Sequence, residues 1–145
     1  MEKLIKELKK IAIAFPLEKN DIWDMPNNAP IEIPRKIRSN YEKNIYLKNN
    51  LKNIITGKNN LNIFYWIINQ WGQIGSFKRN KKNNQKIHKF LVQLDKGKLF
   101  KYTFDTISSL SKVASFLNPE KYAIYDSRAI FALNWLVFNY SKEKK

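Results

Sequence analysis

Cysteine is absent, which excludes disulfides and every thiolate-ligated metal site. Histidine is nearly absent: His88 is the only one, so a histidine-cluster metal site and a multi-histidine mechanism are excluded as well. No metal and no cofactor is expected. Acidic residues are scarce, 12 against 27 Lys plus Arg, for a net charge of +15. No apolar run approaches the roughly 20 residues that span a bilayer. The start, Met1-Glu2-Lys3-Leu4-Ile5-Lys6, is amphipathic rather than a charged stretch followed by an apolar one. Neither a membrane association nor a secretory signal is expected, and the simplest location is cytoplasmic.

What is present suits one packed core. The chain has 145 residues, 43% of them hydrophobic and 14% aromatic, which predicts a single domain over 1–145 rather than a disordered chain. A field of this sign attracts polyanions. Counterion release from phosphates makes a nucleic acid, DNA or RNA, the expected partner. The 23 Lys, 4 Arg, 18 Asn and 18 Ile are the usage of an AT-rich coding sequence, so part of the basicity reflects codons. An acidic protein partner is the alternative.

Periodicity predicts an all-α fold of about six helices. Leu4, Leu8, Ile11 and Phe15 mark an amphipathic helix that stops near Pro16. Four prolines in 16–35 predict an irregular connection anchored by Trp23, Ile31 and Ile33. A helix from Arg35 to Thr56 should stop at Gly57. Leu61 to Trp71, apolar nearly all round and closed by Gly72, predicts a central buried helix. Residues 72–84 read as a basic loop whose Lys78, Arg79, Lys81 and Lys82 form the densest cationic patch, a candidate for phosphate contact. A helix from about Gln85 to Leu94 closes at Gly97, and His88 on it is expected to be exposed or partly buried. Leu99 to Phe104 fits a strand or a linker equally. Asp105 to Leu117 and Ser127 to Tyr140 complete the set, and the second of these is apolar enough to be the other central helix. Trp66, Trp71 and Trp135 are expected in the core.

The segment with chemistry runs from Asp105 to Tyr140. A helix that opens on small polar residues carries Ser111-Lys112-Val113-Ala114. A connector then leads to Asp126 at the start of the next helix, with Arg128 two residues on. This pattern resembles the helix-hairpin-helix DNA glycosylase superfamily. The resemblance implies a Schiff-base lysine at Lys112, a catalytic aspartate at Asp126 and excision of a modified or damaged base from double-stranded DNA. Ser109 and Ser111 lie in the stretch that should grip a phosphate. The residue types suit that chemistry. An amine with suppressed charge attacks a sugar carbon, and a carboxylate steadies the positive charge that develops there. A base removed from the stack needs an aromatic wall, for which Tyr122, Tyr125, Trp66 and Trp71 are the candidates. The same residues have a plainer reading. Asp126 is then a helix cap. Lys112, nearly opposite Ile107, Leu110 and Leu117 on a helical wheel, is then a solvated lysine. Arg128 pairs with a phosphate, Asp105 or Glu120. The chain is then a binding module without catalysis.

Overall fold

The computed structural model describes residues 2–20, 23–55 and 60–140. Every regular element among them is helical. In order these are α1 (Glu2–Ala14), α2 (Leu17–Asn20), α3 (Asn40–Ile54), α4 (Leu61–Tyr65), a π-helix (Trp66–Trp71), α5 (Lys81–Asp95), a 3-10 helix (Lys101–Thr106), α6 (Ile107–Leu117) and α7 (Ser127–Tyr140).

Local chemistry fixes the boundaries. α3 starts at Asn40 rather than Arg35 because Ser39 caps it. The Ser39 hydroxyl accepts from the Glu42 N–H at 3.1 Å and donates to the Glu42 carboxylate at 2.9 Å, a reciprocal capping box. Gly57, the expected stop, lies outside the described residues. α5 likewise begins before Gln85. The Asn80 side chain accepts from the Asn83 N–H at 2.8 Å, so Lys81 and Lys82 belong to the first helical turn and not to the loop. Gly97, at φ +66°, closes α5 as expected. The stretch before α6 is neither strand nor linker but the 3-10 turn. The helix expected from Asp105 therefore begins at Ile107. The proline-rich connection contains one short helix, α2, and its Trp23 and Ile31 pack on the core.

The core joins Leu47 and Leu51 of α3, Phe64, Ile67, Ile68 and Trp71 of the 61–71 segment, Ile87 and Phe90 of α5, and Leu110, Val113 and Phe116 of α6. The 61–71 helix is central, as its composition predicts, although Trp66 is only half-buried and donates its indole N–H to Asn28. The other central helix is α6, not α7. All eight residues from Ser109 to Phe116 are buried, and α6 packs on α3, the π-helix and α5. Its serines and Ala114 are small enough for close approach on every side, and Ser115 satisfies its hydroxyl on the Lys112 carbonyl at 2.8 Å. α7 is about as apolar yet has no buried residue. It packs at the edge of the fold, on α1. Phe131, Phe138 and Trp135 are exposed, so Trp135 is not a core residue. α3, the π-helix, the 3-10 helix and α5 all pack on α6, whereas α7 packs chiefly on α1. None of the helices is long and apolar enough to cross a membrane, among the described residues.

Candidate functional site

Lys112 departs furthest from its plain reading. Instead of facing solvent it is 7% exposed. The π-helix explains how the side chain fits. Its last turn closes with the Gly72 N–H donating to the Ile67 carbonyl at 2.7 Å, a wider helical turn of the kind often found at functional sites. A Cβ on Gly72 would overlap Lys112 Cδ and stand 2.7 Å from the Ile68 carbonyl oxygen. Glycine at 72 is therefore what lets the lysine stem pass. The Lys112 Nζ donates to the Ser108 carbonyl at 3.1 Å, which leaves two of the three ammonium protons for other acceptors. Burial holds the amine below the usual lysine range, and the charge of Asp126 acts the other way.

Asp126 stands just before α7. One carboxylate oxygen accepts from the Arg128 N–H at 2.9 Å and from the Ala129 N–H at 3.2 Å. This is the capping geometry of the plain reading. Arg128 pairs with this same carboxylate, Nε to Oδ1 at 3.4 Å, and not with Asp105 or Glu120. The hydrogen bond from Ala129 and the Arg128 side chain hold the Asp126 carboxyl below the usual carboxylate range. It is ionised at neutral pH.

Lys112 and Asp126 line one cavity of about 320 Å³, together with Trp23, Tyr41, Lys48 and Trp71. The aromatic wall is locked from behind. Asn44, buried in α3, accepts from the Trp71 indole N–H at 2.7 Å and donates to the Trp23 carbonyl at 3.1 Å. The Trp23 indole donates to the Trp71 carbonyl at 2.9 Å. Trp71 also meets Phe116 edge-on at 4.8 Å, and the Lys48 ammonium sits 5.4 Å from the Trp71 ring centre. The volume is near the lower end of the roughly 300–1,000 Å³ typical of small-molecule sites. A larger depression of about 650 Å³ follows the proline-rich connection. No aromatic side chain lines it, and neither Lys112 nor Asp126 reaches it.

The other expected site residues divide. Trp71 lines the Lys112 cavity and Trp66 does not. Tyr122 and Tyr125 line a different cavity of about 410 Å³, beside Ile107, Ser111 and Ala114 of α6. They are not walls of the Lys112 site. Ser109 and Ser111 are buried, and the Ser111 hydroxyl accepts from the Tyr125 N–H at 2.9 Å. Ser111 thus braces the connector to α7, and neither serine presents an exposed side chain to a phosphate. Lys78, Arg79, Lys81 and Lys82 are exposed. Arg79 is held by Asn62 and lies 5.7 Å from the Tyr65 ring centre. Lys82 lines a groove with Leu110. Leu110 and Lys112 stand two residues apart, about 200° around the helix axis, so this groove and the Lys112 cavity open on different faces of α6. His88 is half-buried. Sequence reasoning passed over Tyr41 and Lys48 as site residues. With Asn44 and Ile45 they form one stripe of α3 at positions i, i+3, i+4 and i+7, legible as a face but not as the face of a cavity.

Comparison with family models, with curated proteins and with solved structures finds no match for this chain.

Proposed function

We propose that this protein acts on DNA as a base-excision glycosylase with lyase chemistry, Lys112 being the nucleophile and Asp126 the electrostatic partner. One observation carries this reading: a buried amine and an ionised carboxylate, 14 residues apart in sequence, line the same aromatic-walled cavity. A lysine is rarely buried without cause, because desolvating its charge is expensive. Burial enlarges the fraction of neutral amine, the form that attacks carbon. In the proposed step an extruded nucleotide enters the cavity with its base against Trp23 and Trp71. The Nζ lone pair forms a bond to C1′. The glycosidic bond breaks, and its electron pair leaves with the base, which takes up a proton. The amine gives one proton to the departing base and the other to O4′ as the C1′–O4′ bond breaks, so the sugar opens and a C1′ imine remains. Asp126 is too weak a base to take the nucleophile's proton. It serves as a fixed negative charge beside the oxocarbenium-like carbon.

The basic surface supplies the sequence-independent part of DNA binding. Lys81 and Lys82 sit in the first turn of α5, at the positive end of its dipole, where cations are disfavoured. A phosphate close to them would relieve that repulsion.

Borohydride trapping on duplexes carrying uracil, 8-oxoguanine or an abasic site tests the reading. The expected result is a covalent adduct that disappears in Lys112→Ala. Salt-sensitive binding with neither adduct nor base release would replace it with a non-catalytic module in which Asp126 only caps α7, the role its hydrogen bonds to Arg128 and Ala129 already fit.

A further inference from the structure

The segment Lys98-Leu-Phe-Lys-Tyr-Thr-Phe104 plays no part in the Lys112 site. Phe100, Tyr102 and Phe104 are each about half exposed, at 47%, 53% and 54%. Exposed rings on a mobile loop would mean little, but these are held. Gln93, buried in α5, accepts from the Phe100 N–H at 2.8 Å and from the Thr103 hydroxyl at 2.7 Å, and its amide donates to the Tyr102 hydroxyl at 3.2 Å. Thr103 is buried, and its N–H closes the 3-10 turn on the Phe100 carbonyl at 2.9 Å. One buried glutamine thus pins the turn while three aromatic side chains point outward. Phe100 and Tyr102 stack, centres 5.9 Å apart and planes 20° from parallel.

Cations surround the rings. Lys98 and Lys101 alternate with them in sequence, and both are exposed. The Lys89 ammonium lies 5.9 Å from the Tyr102 ring centre. Lys82 and Lys86 line the groove that contains Tyr102, and Lys121 lines the cavity that contains Phe104. Asp105 lines the Tyr102 groove, and no carboxylate is among the described residues lining the Phe104 cavity.

We propose that 98–104 is a stacking platform for an unpaired nucleic-acid strand, with bases on Phe100, Tyr102 and Phe104 and phosphates along the flanking lysines. Aromatic faces set among cations are how single strands are held without sequence preference. A duplex keeps its base faces covered and offers these rings nothing to stack on. A protein partner fits less well, because lysine is depleted from protein–protein interfaces, and here it alternates with the rings. The platform adjoins Ile107, Leu110 and Ala114 of α6, on another face of that helix from Lys112. It does not depend on Lys112 chemistry.

The test is fluorescence anisotropy of the full chain with a labelled oligothymidylate of about 12 nucleotides, within the single-strand site sizes known for such grooves. Titrations at several salt concentrations, with a duplex of equal length for comparison, complete the design. Tighter binding to the single strand than to the duplex is expected. Phe100→Ala should weaken it by about tenfold at unchanged salt slope, since it removes a stacking face and no charge. Tyr102→Phe should bind nearly as well as the parent. Lys98→Ala with Lys101→Ala should lower the slope. Phe100 is half exposed and its ring meets Tyr102, so circular-dichroism melting of Phe100→Ala should show a cooperative transition at a slightly lower temperature than the parent. Duplex preference, or equal affinity of Phe100→Ala and the parent, would overturn the proposal, as would an absence of binding. Lys112→Ala should keep single-strand affinity, so a failed trapping experiment would leave this surface standing.

Discussion

Lys112 is costly to the fold at neutral pH, and the cost has a testable pH signature. Its folded value lies below the ordinary 10.5 of the unfolded chain. Between those two values the unfolded chain still holds a proton that the folded chain has released, so stability rises with pH just below 10.5. Lys112→Met should flatten that rise in urea melts taken from neutral to alkaline pH. It should leave stability at pH 7 equal or higher, on the order of 1 kcal/mol, while abolishing the trapped adduct. A destabilised Lys112→Met protein would show that the amine is held by favourable contacts instead. Asp126 has the opposite sign. Its folded value is depressed, so its contribution is present above the unfolded value and is lost as pH falls through the folded one. Asp126→Asn separates its two roles. Asparagine caps a helix as well as aspartate does but lacks the charge that pairs with Arg128, so the melting temperature at neutral pH should fall only slightly while adduct formation falls. Equal adduct formation would reduce Asp126 to a cap. Gly72→Ala should cost about 1–3 kcal/mol through overpacking and displace Lys112, with a matching loss of trapping.

At the scale of elements, the contrast between α6 and α7 makes the clearest prediction. Trp71→Ala removes a buried ring and its bond to Asn44, and should cost about 3–5 kcal/mol in denaturant unfolding. Trp135→Ala, on exposed α7, should stay within about 1 kcal/mol of the parent. Reversal of that order would mean that α7 is buried after all. Ser39→Ala should cost about 1 kcal/mol by opening the capping box of α3. Helix ends were legible where side-chain chemistry marks them, as at Pro16, Gly72 and Gly97. The caps Ser39 and Asn80 are equally visible in sequence, but the apolar stripe drew attention to other starting points. The π-turn at 66–71 has no comparable mark. Trp71, at its end, meets Phe116, Asn44 and Trp23 together.

At the scale of the whole molecule, the +15 charge predicts binding to any nucleic acid that weakens steeply with salt, at a slope near −0.9 per phosphate neutralised on duplex DNA. The lysines do not all serve one site. Lys82, Lys86 and Lys89 border the Tyr102 groove, whereas Lys48 and Lys112 border the cavity with Asp126. Lys82→Ala with Lys86→Ala should lower affinity and slope while sparing the trapped fraction at saturating DNA. Loss of trapping under those conditions would tie the two surfaces together.

Composition and periodicity alone determined that this chain is helical, that it has no cysteine or multi-histidine chemistry, and that it carries a field for polyanions. Lys112 and Asp126 were singled out by a resemblance in the order of residues over 105–140, and not by composition or periodicity. Only the tertiary structure decided that α6 and not α7 is central, that Lys112 is buried, that Tyr122 and Tyr125 face a different hollow, and that Gly72 makes room for the lysine. Each of these is a property of pairs. An apolar stripe shows that a helix has a face to cover, whereas the neighbour that covers it depends on which surfaces can come close enough. Here the small Ser and Ala side chains of α6 allow approach from several sides, and the larger ones of α7 remain at the edge.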